Sequence, residues 1–175
     1  MKKILLNAAS TVVIGIIGMS ASVSASAAEV TVDWQEPETF TDIRSGNEAA
    51  QAFRSRMIRE FDVVFADLAK KMPDQYQWDV LVTDVDLAGE VSPAHSRMGR
   101  EVRIVKDLEW PRMSLSYTLK NTMNGAFISG KEEMKDMNFM AHSYFHSGDS
   151  SFYYEEKMLG DWFAKQQRDK IFPER

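Results

Sequence analysis

Asp84 and Asp86 stand two residues apart in the stretch QWDVLVTDVDLAGE, and Glu90 follows four residues later. On an extended chain the two aspartates point the same way, about 7 Å apart. With Glu90 they could offer oxygen ligands to a hard cation. They could also act as an acid/base pair if their surroundings pushed their pKa values apart. The plainer account makes them strand-end residues that hydrogen-bond the following loop or pair with Arg97, Arg100 or Arg103, because carboxylates leaving water are usually paired. No D-x-[DN]-x-[DN]-G loop is present, which weakens the cation account.

A second set is Met134, Met137, Met140, His142, His146 and Asp149. Thioethers and imidazoles suit copper, Cu(I) above all. Three methionines at i, i+3 and i+6 share a helix face, and so do His142 and His146 at i, i+4, but on a strand Met137 turns away from Met134 and Met140. Methionine is more often a filler of core gaps. A third set, Arg97, Arg100, Arg103, Lys106 and Arg112, is basic within an acidic chain. It could receive a phosphate, a carboxylate or an acidic partner segment. Ion pairs to Asp84, Asp86 or Glu109 on a solvated face are the plainer account. His95 has no partner legible in the sequence. There is no G-x-S-x-G, no H-E-x-x-H and no glycine-rich phosphate loop, so an enzyme is the less favoured class and no cofactor is implied.

The elements that must position these residues follow from periodicity. Val30, Val32 and Trp34 alternate with polar residues, which predicts a first strand ended by Pro37. Phe40, alone in a polar connector, should pin that loop to the core. Phe53, Met57, Phe61, Val64, Phe65, Leu68 and Met72 recur at spacings of three and four, one face of a helix over 45–71. Ser45 and Glu48 form an S-x-x-E capping box. Residues 77–87 form a strand with apolar side chains on both faces, which suggests cover on each side along part of its length.

A loop of about a dozen residues follows, and loops of that length are often functional. Val102, Ile104 and Leu108 then mark a shorter strand. Met113, Leu115, Tyr117 and Leu119 alternate with polar residues as a half-buried strand. Asn124-Gly125 signals a hairpin, with a returning strand over 126–135. Asp149, Ser150 and Ser151 can each cap a final helix carrying Phe152, Leu159, Trp162 and Phe163, with Lys165 and Arg168 late in it. The expected fold class is α+β. One mixed, mostly antiparallel sheet of about five strands would carry two helices on one face, in the order β-α-β-β-β-β-α.

The first residues are of another kind. Lys2 and Lys3 precede a 16-residue apolar run, Ile4 to Met19, and small residues ending in Ala25-Ser26-Ala27. That layout predicts a secretory signal peptide over 1–28, cleaved after Ala27 or Ala28. The run is short of the roughly 20 residues that span a bilayer, and no second run is longer. A single domain over 29–175, in the periplasm or secreted, is the expectation, with no stable membrane insertion after cleavage. The absence of cysteine excludes disulfides, lipidation at an N-terminal cysteine, thiolate metal sites and a cysteine nucleophile. Without Lys2 and Lys3 the chain has 19 basic against 26 acidic side chains, a formal charge of −7. That opposes binding to nucleic acid.

Four stretches carry a resemblance: 36–42 (EPETFTD), 83–90 (TDVDLAGE), 102–107 (VRIVKD) leading to Pro111-Arg112, and 154–163 (YEEKMLGDWF). In that order they resemble the exported proteobacterial family named domain of unknown function 3016. The resemblance implies a single periplasmic domain and carries no activity and no catalytic residues. The functional expectation is therefore a non-enzymatic interaction module. It would bind a protein or envelope component through a sheet edge or through the loop after Leu87. The alternative is a small metal-binding periplasmic protein using one of the first two sets.

Overall fold

A computed structural model describes residues 27–91, 101–141 and 150–175. Residues 1–26 of the leader expected over 1–28 lie outside the described residues, as do His95, Arg97, Arg100, His142, His146 and Asp149. The elements run β1 (Glu29–Trp34), α1 (Ala50–Ala69), β2 (Tyr76–Asp86), β3 (Glu90–Val91), β4 (Arg103–Ile104), β5 (Arg112–Asn121), β6 (Phe127–Lys135) and α2 (Tyr153–Arg168), with a 3-10 turn at Pro37–Thr39. The fold is α+β and follows the expected order. The main sheet has four strands, β1-β2-β5-β6, with β1 parallel to β2 and the rest antiparallel. β4 does not join it. It pairs with β3 in a separate two-stranded ribbon, and Leu108, expected on that strand, is exposed in a turn.

Both helices lie on one face of the sheet. Trp78 of β2 has ring centroids 5.5–6.3 Å from Phe65 of α1, Trp162 and Phe163 of α2, and Phe172 beyond α2. Each such buried aromatic or aliphatic side chain contributes about 1.5–3 kcal/mol. Phe40 is buried in the same core, as its isolation in the sequence implied. Ala28, next to the expected cleavage point, is buried there too.

Two local expectations are corrected. β2 is not covered on both faces. The register slips between Val82 and Asp84, so Thr83 is the extra residue of a bulge. The slip turns Val85 back to the helix-covered side, fully buried with Trp78, Val80 and Val82, while Leu81 stays exposed on the open face. The first helix starts at Ala50, not Ser45. Ser45 Oγ does accept the Glu48 N–H at 2.8 Å, but Glu48 turns its carboxylate to Arg56 at 3.0 Å instead of closing the box. A long-range contact also holds this segment: Asn47 Nδ2 donates to the Glu101 carbonyl at 2.9 Å. A Cβ on Gly46 would stand 1.9 Å from that same oxygen.

Candidate functional site

The acidic end of β2 does not form one cluster. Asp84 Oδ1 accepts the Thr41 N–H at 2.8 Å and Oδ2 accepts the Thr41 hydroxyl at 2.7 Å, so both oxygens tie the connector before α1 to the sheet. Asp86 faces Arg112 across the ladder, with Nε 3.8 Å from its carboxylate. Burial pushes the Asp86 carboxyl up. Arg112 pulls it down, Asp42 and Asp84 push it up again, and Arg103 opposes them. Glu90 meets Lys106 at 2.6 Å. Among the described residues no group of three or more His, Cys, Asp or Glu is placed to hold a metal.

Arg103 takes a partner absent from the candidate set. Its guanidinium meets Asp42 through both nitrogens, at 3.2 Å and 3.1 Å. Nη1 also reaches the carbonyls of Leu87, Ala88 and Gly89 at 3.2, 3.3 and 2.8 Å, and Nη2 reaches the Arg44 carbonyl at 2.9 Å. A planar fork with five N–H donors suits such convergence; an ammonium does not. Gly89 permits it: φ is +76°, and a Cβ there would stand 2.3 Å from the Ile104 carbonyl oxygen. The turn after β2 is thus wrapped around one arginine from β4.

Beneath that turn lies a residue that belongs to none of the three candidate sets. Glu155, in the first turn of α2, is 2% exposed, and its Oε1 accepts the Ala88 N–H at 2.6 Å. Burial pushes this carboxyl up to about 7. The N–H of Ala88, its own N–H and the charge of Arg103 pull it down, and Glu156 pushes it up. Its position was the signal: three residues after Phe152 and four before Leu159, it falls on the apolar stripe of the helix. A 240 Å³ cavity opens beside it, walled by Phe53, Phe152, Tyr154, Leu87, Arg44 and Arg103 among others.

The methionine set is dispersed. Met134 is buried in the core from β6, whereas Met137 and Met140 are exposed in the turns that follow. The strand expected over 126–135 is present and ends at Lys135, so of the three methionines Met134 alone lies on it.

β6 also forms a free edge. Asn121 N–H donates to the Ala126 carbonyl at 2.7 Å, and Asp136 N–H to the Pro111 carbonyl at 3.2 Å. The register between them is unbroken. Hydrogen-bonded and non-bonded pairs alternate in an antiparallel ladder. The N–H and C=O groups of Phe127, Ser129, Lys131, Glu133 and Lys135 therefore point away from β5. No strand lies beyond β6 among the described residues, and Phe127, Ile128 and Met123 are exposed at its start.

These features define a two-layer α+β domain whose polar residues mostly fasten loops, with a cavity beside Glu155 and an open edge at β6. A family model described as protein of unknown function (DUF3016) matches residues 28–165, from the threshold of β1 to within the last turn of α2, and the chain belongs to that family. No curated protein matches it. Among the described residues no helix is long and apolar enough to cross a membrane.

Proposed function

We propose that this protein is a non-enzymatic interaction module of the periplasm, and that it binds an extended segment of a partner protein as a fifth strand on β6. The outward backbone groups of that edge carry the reading, because main-chain hydrogen bonds supply the affinity in strand addition. A 580 Å³ groove between β6 and α2, lined by Met134, Met158, Trp162 and Gln166 among others, stands beside the edge. Among the described residues, Trp162 Nε1 and Gln166 Oε1 are buried without a hydrogen-bond partner. An added strand carrying a hydroxyl or amide side chain on that face could satisfy a donor and an acceptor of this kind. Lys131 and Lys135, with Lys120 and Arg112 on β5, outnumber Glu133 on the other face of the edge, which favours acidic residues on that face of the partner strand. They also disfavour pairing between two copies of β6. The basic, apolar and small-residue layout of residues 1–28 supports the periplasmic location.

The test is a proline at Lys131, whose N–H is not used by β5, against a proline at Glu132, whose N–H is. In crosslinking and pull-down from periplasm, Lys131→Pro should abolish capture of a partner segment at little cost in stability, whereas Glu132→Pro should unfold the edge. Capture that survives Lys131→Pro in a folded protein refutes strand addition at β6.

A further inference from the structure

The cavity beside Glu155 shares no residue with the β6 edge, so its fate is independent of the reading above. Its walls are apolar and aromatic at one side, with Phe53, Phe152, Tyr154, Leu87 and Val105. At 240 Å³ it exceeds the roughly 150 Å³ that accommodates a benzene molecule, leaving room for one ring and a small substituent.

The charged groups around it are nearly all engaged. From β4, Arg103 is held by Asp42 and backbone carbonyls. From α1, Arg56 lies over the rings of Phe53 and Phe152 at 5.1 and 5.3 Å and is paired with Glu48 and Glu60. On α2, Glu156 accepts the Ser150 hydroxyl at 2.5 Å. Arg44, from the connector, differs. It donates one hydrogen bond to the Val91 carbonyl at 3.1 Å, and no ion pair to it is formed among the described residues. Glu155 offers a carboxyl with Oε1 committed to Ala88. Among the described residues the site therefore has one guanidinium without an ion pair, one buried carboxyl and an apolar wall sized for a ring.

We propose that this cavity binds a small aromatic monocarboxylate, with the ring against Phe53 and Phe152 and the carboxylate between the Arg44 guanidinium and the carboxyl of Glu155. One guanidinium without an ion pair and one carboxyl proton to share suit a monocarboxylate, since the other charged groups around the cavity already carry more acid than base; a phosphate dianion would need further cations. Burial already holds the Glu155 proton to about pH 7, and an anion at hydrogen-bond distance raises its affinity for that proton further. Binding and proton uptake are then linked.

Benzoate and phenylacetate are the probes, titrated by calorimetry into the purified protein. One-to-one binding at pH 6 should weaken about tenfold by pH 8, as Glu155 must be reprotonated. Glu155→Gln, which retains an acceptor for Ala88, should make binding independent of pH over that range. Arg44→Gln should weaken benzoate at pH 6 about tenfold or more, with a melting temperature lowered by only a few degrees for the lost bond to Val91. Acetate, lacking the ring, and benzyl alcohol, lacking the charge, should each bind at least tenfold more weakly. The proposal is overturned if neither aromatic acid binds at millimolar concentration at pH 6. It is also overturned if binding is indifferent to Arg44→Gln, or if its pH dependence persists in Glu155→Gln.

Discussion

Replacing Glu155 with glutamine isolates what it costs to bury that carboxyl. The side chain is 2% exposed, and burial pushes its pKa from 4.5 to about 7. Between those two values the folded protein holds a proton that the unfolded chain has released. Stability that is intact below about pH 4.5 therefore declines as pH rises, and the loss is complete above about pH 7. At about 1.4 kcal/mol per pH unit the full loss is about 3 kcal/mol. Glutamine has nearly the same shape, keeps an oxygen for the Ala88 N–H and does not titrate. The variant should match the wild type near pH 4.5 and exceed it by about 3 kcal/mol at pH 8, roughly 6–12 °C in Tm for a domain of this size. Urea unfolding of both proteins at intervals from pH 4.5 to 8 reads the difference directly. Parallel curves across that range would refute the reasoning, because they would mean that Glu155 ionises as freely when folded as when unfolded.

Arg103→Lys should cost about 2–3 kcal/mol, since an ammonium cannot reach Asp42 and the carbonyls of Leu87, Ala88, Gly89 and Arg44 together; chemical denaturation checks this. The glycines should rank by their surroundings. Gly46→Ala and Gly89→Ala drive a Cβ into backbone and should cost about 2–3 kcal/mol or more. Gly125→Ala meets open space at φ +73° and should cost only about 1 kcal/mol. Gly160→Ala, inside α2 with nothing near it, should stabilise by about 0.5–1 kcal/mol. Asp84→Asn should cost about 1–2 kcal/mol by weakening the two bonds from Thr41, with the loss read as earlier thermal unfolding.

Periodic features were legible because they are local. The apolar face of α1, the alternation along β5, the hairpin at Asn124-Gly125 and the stripe of α2 each repeat within a few residues, and the structure places them as read. The partners of the acidic residues were less legible: Asp84 bonds Thr41 in the connector before α1 rather than the loop after β2, and Asp86 faces Arg112. The pairing of Arg103 was not legible. Its partner Asp42 is 61 residues away, and nothing in either neighbourhood prefers Asp42 to Asp84. Glu155 stands where an acid suits a helix N-terminus, and its burial depends on a turn 67 residues earlier in the chain.

The sequence by itself determined the α+β class, the order of the elements and the face each helix buries, because the backbone repeats of two and 3.6 residues map directly onto side-chain chemistry. Tertiary structure decided the rest. One extra residue at Thr83 returns Val85 to the core, β4 leaves the sheet to clasp the turn after β2, and the first helix yields its opening turn to contacts with residue 101. It also set Glu155 beside a cavity. Each of these outcomes is a competition among distant groups for the same buried partner, and only the packed chain settles it.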